Sequence, residues 1–182
     1  MTTFKVPTRE DVSSNNQAIF DNLKKAVGFV PNIYATVAYS ETALGNYLPF
    51  ESAKSSLSNK EKEVINLITS QVNGCRYCQS AHTAIGKLNG FTDEQVLELR
   101  QGFYSSDKKY DALVKTAKQI TLNNGKVDDA TLETFFNTGY TKGSLVDIIL
   151  AVNAVSVTNY IHNLTQVEID FPIVPELETA TV

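Results

Sequence analysis

The stretch SNKEKEVINLITSQVNGCRYCQSAHTAIGKLN, residues 58–89, decides the fold of this 182-residue chain. It opens on the capping box Ser58-Asn59-Lys60-Glu61, in which serine and glutamate side chains satisfy free backbone N–H groups at a helix start. Apolar residues then recur at helical spacing on one stripe, at Val64, Ile65, Ile68 and Val72. Gly74 interrupts this pattern before a second helical stretch begins. The stretch therefore predicts two helices, with Cys75 and Cys78 at the start of the second.

The same two signals, capping residues and apolar residues at helical spacing, continue on both sides of this stretch. They predict helices at 16–27, directly after Pro31, at 40–53, 92–100 and 107–124, from Asp128 or Asp129 to 137, and at 141–162. Pro49 is expected to bend or break the helix at 40–53. Alternation typical of a strand occurs only at 166–173. The chain is thus predicted to be one all-α domain of about eight or nine helices, with a core over 16–163 and an irregular tail over 164–182.

Composition and charge exclude several classes of protein. Sixteen basic and twenty acidic side chains leave a net charge of −4 and a pI near 5.2, so neither nucleic acid nor an anionic membrane surface is an expected partner. The N-terminus has no apolar signal-peptide region, and the longest apolar run, 148–152, is too short to span a bilayer. These features predict a cytoplasmic protein, in a compartment where two cysteines do not build a disulfide framework. The pair therefore serves metal binding or redox chemistry, or its spacing is accidental.

The cysteine pair is accompanied by residues that suit thiol chemistry. At 100° per residue, Cys75, Cys78 and His82 fall within an arc of about 60° on one helix face. A helix N-terminus favours the thiolate, and the i, i+4 spacing lets the His82 imidazole accept the Cys78 proton or pair with the thiolate. If the two helices pack antiparallel, Glu63 can reach His82 and orient it. A metal site is disfavoured, because His162 is the only other histidine.

Other side chains have simpler interpretations. His162 has no such companions and is interpreted as structural. The polar neighbours Gly74, Arg76 and Gln79 predict that the cysteine pair is partly exposed. Four aromatic side chains could line a pocket for an organic substrate, but core packing is the favoured interpretation of each: Tyr34, Tyr39, Tyr47 and Phe50.

The pattern Glu63-x11-Cys75-x2-Cys78-x3-His82 resembles the signature of the alkylhydroperoxidase D (AhpD) branch of the carboxymuconolactone decarboxylase-like superfamily, and in particular of its peroxidase-related members. The resemblance implies an AhpD-like helical fold in which Cys78 is the peroxidatic thiol and Cys75 is the resolving thiol that also contacts the reductant. Glu63 and His82 would then relay protons. Some members have histidine before the second cysteine, where this chain has Tyr77; this difference implies altered tuning rather than loss of function.

The same resemblance implies a hydroperoxide substrate, a dithiol, thioredoxin-like or lipoyl reductant, no cofactor and a homo-oligomer. The expected reaction forms a sulfenic acid on Cys78, which Cys75 converts to a disulfide. The paired cysteines favour redox chemistry over lactone decarboxylation. Two alternatives remain open. One is a protein thiol-disulfide oxidoreductase, although neither a βαβ pattern nor a tryptophan accompanies the cysteines. The other is a non-enzymatic, redox-sensing oligomer built on the apolar helix at 141–162.

Overall fold

Every regular element of the computed structural model, which describes residues 4–177, is a helix. A single 3-10 turn at Arg9–Asp11 precedes nine α-helices in this part of the chain. Their bounds are α1 Ser14–Val27, α2 Asn32–Val37, α3 Ala43–Glu51, α4 Asn59–Val72, α5 Arg76–Leu88, α6 Asp93–Gln101, α7 Lys108–Leu122, α8 Asp129–Asn137 and α9 Lys142–Thr165. The all-α fold is confirmed, and 166–173 forms no strand. The last part of the predicted tail, 178–182, lies outside the described residues.

Helix starts follow the capping residues closely. The Ser58 hydroxyl accepts the Glu61 backbone N–H at 3.2 Å, and the Glu61 carboxylate accepts the Ser58 N–H in return. The third helix is shorter than expected, because the Ser40 hydroxyl accepts the N–H of Ala43, where α3 begins. Pro49 does not break this helix. It lies in the last turn, where its missing N–H removes a single backbone hydrogen bond.

The main core forms around α4, which packs against α5, α6, α7 and α9. Its apolar stripe is removed from solvent together with side chains of α6 to α9. The largest buried members of this core include Ile65, Leu67, Leu99, Leu113, Phe135 and Ile148. A smaller apolar cluster joins α1 to α3 and contains Phe20, Ala35, Val37 and Leu44. The central position of α4 gives its side chains fixed positions relative to every neighbouring helix.

The turn between α4 and α5 sets the relation between these two helices. Gly74 has φ +66°, a left-handed conformation that side chains with a Cβ rarely adopt. The chain reverses there, so that Gln79 near the start of α5 donates to the carbonyl of Ser70 near the end of α4. Glu63, near the start of α4, meets His82 further along α5. The helices are therefore antiparallel, as the predicted contact between Glu63 and His82 requires.

The last helix, α9, is long and apolar. By length and composition it is the one helix within residues 4–177 that could cross a membrane, with a mean hydropathy of 1.5 over its most apolar part. The uninterrupted apolar run 148–152 is thus only a small part of a longer apolar helix, Lys142–Thr165. Core helices of soluble proteins meet the same criterion. α9 packs against α2, α3, α4, α5 and α7, so its apolar character is weak support for a membrane span.

Candidate active site

The two cysteines occupy different positions at the start of α5. Cys75 is the N-cap residue, and its Sγ accepts the backbone N–H of Cys78 at 3.2 Å. Cys78 lies in the first turn and lines a cavity, whereas Cys75 does not. Both are free thiols, with 0% of Cys75 and 2% of Cys78 exposed. The prediction of a partly exposed pair is therefore wrong, and Cys75 in particular offers no surface to a partner.

The C-terminal segment, residues 166–177, explains this burial. It has no regular secondary structure, as predicted for a tail, but it packs onto α5. Ile169 and Phe171 contact the apolar cluster that contains Cys75 and Tyr77. Polar contacts hold the segment along its length, because Arg76 donates to the Val174 carbonyl at 2.8 Å and further groups donate to or accept from its backbone. Among the polar neighbours of the cysteines, Arg76 thus binds this segment, whereas Gln79 bonds to Ser70 and Arg100 in the interior.

Tyr77, between the two cysteines, attaches the C-terminal segment to the rest of the site. Its hydroxyl donates to Asp170 at 2.5 Å and accepts the backbone N–H of Ile33 at 3.3 Å. Its ring lies against the rings of His162 and Phe171, with centroids 5.5 and 5.7 Å away. The tyrosine thus joins α2, α5, α9 and the C-terminal segment. His162 is 3% exposed within this packing, in keeping with its interpretation as structural.

Glu63 and His82 form the contact that the spacing predicts. The Nδ1 of His82 and the Oε2 of Glu63 are 2.9 Å apart, and both side chains are largely buried. Burial alone would lower the pKa of His82, but the charge and hydrogen bond of Glu63 outweigh it and raise the pKa to about 9. The imidazole is therefore positively charged at neutral pH and held in one orientation.

The two thiols differ in acidity. Burial on its own raises the pKa of Cys78, but the hydrogen bond with Cys75 and the charge of His82, aided by Asn159 and Thr158, lower it to about 7. For Cys75, the hydrogen bond to Cys78 and burial both raise the pKa. The lowered pKa favours the thiolate of Cys78 near neutral pH, whereas the raised pKa of Cys75 keeps that thiol protonated. Cys78 is therefore the more acidic of the two thiols.

The cavity in front of Cys78 has a volume of about 640 Å³. Aromatic and aliphatic side chains form most of its wall, including Phe29, Tyr34, Tyr47 and Phe50. Core packing was thus the wrong interpretation for Phe50, which is 40% exposed on this wall. Tyr47 does both, since it is buried in the structure and its hydroxyl donates to the Ala154 carbonyl at 3.1 Å. Tyr39 lies elsewhere and is exposed.

One carboxyl group of the cavity escaped the sequence analysis. Glu51, the last residue of α3, lines the cavity with Cys78 and His82. Its carboxylate oxygens accept from the Tyr34 hydroxyl at 3.1 and 3.2 Å. Burial is the main reason that the pKa of Glu51 is raised, and the charge of nearby Glu63 raises it further. A glutamate at a helix end carries no signal in the sequence that distinguishes it from a solvated side chain.

Within residues 4–177, no group of three or more His, Cys, Asp or Glu side chains is placed to hold an ion. The site therefore combines three groups: the acidic thiol of Cys78 on the wall of an apolar cavity, the charged imidazole of His82, and the buried thiol of Cys75 next to Cys78.

Part of the chain is similar in sequence to known proteins. Residues 41–102, which include α4, α5 and both cysteines, match the profile of the carboxymuconolactone decarboxylase family. The uncharacterised protein YdfG of Bacillus subtilis is 29% identical over 112 residues, which cover 59% of this chain and 75% of YdfG. These matches agree with the family that the spacing of the four site residues indicates.

Two solved structures extend the likeness over nearly the whole chain. An uncharacterised peroxidase-related protein from Ralstonia eutropha JMP134, described as an alkylhydroperoxidase AhpD core, is 21% identical with a TM-score of 0.79 over 88% of each chain. The debrominase Bmp8, as a single-site variant in complex with 2,3,4-tribromopyrrole, is 17% identical with a TM-score of 0.77 over 93% of each chain. At these identities the likeness establishes the fold, and proteins of this fold differ in what they act on.

Proposed function

We propose that this chain, whose residues 41–102 match the carboxymuconolactone decarboxylase family and whose fold is AhpD-like, is a thiol-dependent peroxidase that reduces organic hydroperoxides. The observation that carries this proposal is the difference between the two thiols. Cys78 has a lowered pKa and lies on the wall of the cavity, whereas Cys75 is protonated and buried next to it. Peroxide reduction by a cysteine pair needs a reactive thiolate facing the substrate and a second thiol within reach.

The reaction proceeds in two steps on the cysteines. The Cys78 thiolate attacks one oxygen of the hydroperoxide, the S–O bond forms as the O–O bond breaks, and the other oxygen leaves as an alcohol after it gains a proton. Cys78 is then a sulfenic acid. The Cys75 thiol condenses with it to give a disulfide and water. The positively charged His82, oriented by Glu63, stabilises the Cys78 thiolate before each attack, and the proton of the Cys78 thiol passes to solvent.

Regeneration requires an external dithiol, which reduces the disulfide by thiolate exchange. The resemblance to AhpD implies that Cys75 contacts this reductant, but Cys75 is completely buried. Cys78 is the sulfur that lines the cavity. We therefore place the attack of the reductant on Cys78, and a slim dithiol such as a lipoyl group suits this route better than a folded protein does.

A single-equivalent titration tests the proposal. Reduced protein receives one equivalent of cumene hydroperoxide, the remaining thiols are counted over time, and the product is mapped by mass spectrometry. Rapid loss of two thiols with a disulfide between Cys75 and Cys78 is expected. The Cys78→Ser variant should consume no peroxide above the rate of free cysteine. Unchanged peroxide consumption by Cys78→Ser would overturn the proposal.

The buried cysteines weigh against a protein thiol-disulfide oxidoreductase. Such an enzyme forms a mixed disulfide with a folded partner, which needs an accessible sulfur. Here 2% of Cys78 and none of Cys75 is exposed. An insulin reduction assay run beside the peroxide titration separates the two activities. Fast insulin reduction without peroxide consumption would favour the oxidoreductase, and inertness in both assays would favour the redox-sensing oligomer.

Reductive dehalogenation is a second candidate, because the debrominase Bmp8 shares the fold and this cavity has an aromatic and aliphatic wall. In that reaction the two thiols supply two electrons, a C–H bond replaces a C–Br bond, and bromide and a disulfide are the other products. Release of bromide from 2,3,4-tribromopyrrole by the reduced protein is the measurement. Faster bromide release than peroxide consumption would favour dehalogenation.

We also propose that α9 joins two copies of the chain. Exposed apolar side chains follow each other at intervals of three and four positions on one face of this helix, a pattern typical of a helix–helix seam. They are Val146, Leu150, Val157, Tyr160 and Leu164, with Asn153 as the polar member. Sedimentation velocity tests the proposal, since Val157→Glu should shift the protein towards the monomer. A monomeric wild-type protein would overturn it.

A further inference from the structure

The proposed peroxidase reaction leaves one proton unassigned. When the O–O bond breaks, the departing oxygen carries negative charge and must be protonated before it leaves as an alcohol. Glu63 stabilises the positive charge of His82 and raises its pKa to about 9, so a carboxylic acid on the same cavity wall is a stronger proton donor. Of the carboxyl groups that line the cavity, Glu63 is paired with His82, the pKa of Asp147 is lowered by its hydrogen bonds with Ser56, and the pKa of Glu51 is raised.

Resting on this proposed function, we propose that Glu51 is a catalytic acid, which donates its proton to the oxygen that leaves the hydroperoxide. The proposal starts from the position of Glu51 on the wall of the cavity that Cys78 and His82 also line. A hydroperoxide in this cavity can contact the thiolate with one oxygen while its organic part fills the space among the aromatic side chains. Its leaving oxygen then lies in the same enclosed space as the carboxyl group.

The contacts of Glu51 hold its carboxyl group in place but do not pair it with a positively charged side chain. Tyr34 donates to both carboxylate oxygens, at 3.1 and 3.2 Å. None of the ion pairs among residues 4–177 includes Glu51. The nearby Lys62 instead donates to the Ala53 carbonyl at 3.2 Å. A carboxyl group with no cationic partner in a mostly apolar cavity favours the protonated form.

The charges that face Glu51 have opposing effects. Burial and Glu63 raise its pKa, whereas His82, Lys62 and the hydrogen bond from Tyr34 lower it, and the net direction is upwards. A bound organic substrate displaces water from the cavity and raises this pKa further. The same cavity thus holds a thiol whose pKa is lowered and a carboxyl group whose pKa is raised. Opposite shifts in neighbouring groups are typical of a nucleophile and its partner acid.

The proposed step balances in protons and electrons. The Cys78 thiolate gains the S–O bond, the O–O bond breaks, and the leaving oxygen takes the proton of Glu51, which becomes a carboxylate. Two electrons pass from sulfur to oxygen. Once the alcohol leaves, water returns to the cavity and Glu51 takes a proton from it. Reduction of the later disulfide by the dithiol releases one proton to solvent and restores the starting state.

The experiment compares peroxides whose leaving groups need protonation to different extents. Cumene hydroperoxide expels a strongly basic alkoxide, whereas perbenzoic acid expels a weakly basic carboxylate. Glu51→Gln keeps the shape of the side chain and its contact with Tyr34, but it removes the acid. Stopped-flow rate constants for loss of the Cys78 thiol are measured with both peroxides. The loss with cumene hydroperoxide should reach about 100-fold, the range of general acid catalysis.

The ratio of the two losses is the decisive quantity. A catalytic acid predicts that Glu51→Gln slows cumene hydroperoxide about 30-fold or more beyond its effect on perbenzoic acid. A glutamate that only shapes the cavity would slow both peroxides equally, and that result would overturn the proposal. Glu41→Gln is the matched control, because Glu41 is exposed and away from the cavity; it should leave the ratio as in wild type. Circular dichroism and the thiol count confirm that each variant is folded.

A second variant, Glu51→Ala, tests whether the effect of Glu51→Gln comes from loss of the acid or from the new amide group. Glu51→Ala should be slow with cumene hydroperoxide and should regain rate when acetic acid is added to the buffer, because the small acid fits the space that the side chain leaves. Acetic acid is raised to the highest concentration that leaves the wild-type rate unchanged. If the rate of Glu51→Ala does not increase over this range, the result counts against the proposal. Wild-type protein that consumes neither peroxide would instead refute the peroxidase function itself. The two failures are therefore distinguishable.

Discussion

The two sides of the first turn of α5 offer contrasting environments to two sulfurs only three positions apart. On the cavity side, Cys78 faces open space, a charged imidazole and a carboxyl group. On the other side, Cys75 lies under the C-terminal segment in an apolar cluster with Tyr77. The pKa of Cys78 is lowered and that of Cys75 is raised. In the proposed reaction, this short motif separates attack from resolution, because one thiol is covered and the other lines the cavity.

Removal of the covered thiol should give the largest effect. In Cys75→Ser the first attack on cumene hydroperoxide persists, because Cys78 and the cavity remain, but no disulfide forms. A neighbouring thiol reacts far faster than one from solution, so turnover with a dithiol should fall about 100-fold or more. Trapping with dimedone and mass spectrometry should show a stable sulfenic acid on Cys78. A normal turnover rate in Cys75→Ser would mean that the covered thiol has no part in the cycle.

The charged side of the turn is tested with His82→Asn. A thiol is ionised only above its pKa, and the charge of His82 contributes to lowering the pKa of Cys78 to about 7. Without this charge the midpoint of thiolate formation should move up by about one pH unit, with about fivefold less thiolate at pH 7. Absorbance at 240 nm against pH measures the midpoint. Lys87→Gln, which removes an exposed positive charge from the same helix, should leave it in place. If the midpoint of Cys78 ionisation in His82→Asn lies at or below the wild-type value, the charge of His82 is not what distinguishes the two thiols.

The cover over Cys75 is tested with Phe171→Ala. The Phe171 ring packs edge-on against Tyr77 and Phe29, and it is partly buried, so its loss should cost about 2 kcal/mol of unfolding free energy in urea. Iodoacetamide should then alkylate Cys75 several times faster in the folded protein. Ile173→Ala is the control, since this side chain of the same segment is 69% exposed. Equal alkylation of Cys75 in both variants would show that another element covers it.

The smallest expected effect belongs to Tyr77→Phe. This variant removes the hydrogen bond to Asp170, which should lower the unfolding free energy by about 1–2 kcal/mol while the rings stay packed. The midpoint for Cys78 ionisation should stay within about 0.3 pH units of wild type, because Tyr77 is not among the main groups that set it. Tyr160→Phe, an exposed tyrosine on α9, is the stability control. A large shift of the Cys78 midpoint would assign Tyr77 a direct electrostatic role.

Sequence reasoning succeeded where the interacting residues lie close together along the chain. Capping boxes at Ser58, Thr92 and Thr141 involve residues three positions apart, so the helix starts could be predicted. The contact between Glu63 and His82 could also be predicted, because consecutive helices joined by a tight turn have few ways to pack.

The features that sequence reasoning missed depend on distant contacts. Cys75 is buried by a segment about ninety positions later in the chain, and nothing near Cys75 in sequence announces that cover. Glu51 becomes part of the site because α3 borders the same cavity as α5. Phe50 and Tyr34 looked like core residues for the same reason, since apolar periodicity does not distinguish the wall of a cavity from a filled interior.

The hydrogen bond between Tyr77 and Asp170 has a consequence for the biosynthesis of the protein. The two residues lie 93 positions apart, and a ribosome adds residues at about 5–20 per second. The growing chain therefore carries both thiols for roughly 5 to 20 seconds before the residues that cover Cys75 have been made. During this interval Cys75 lacks the segment that covers it in the folded protein. The difference in access between the two sulfurs is complete only when the C-terminal segment has been synthesised and has docked.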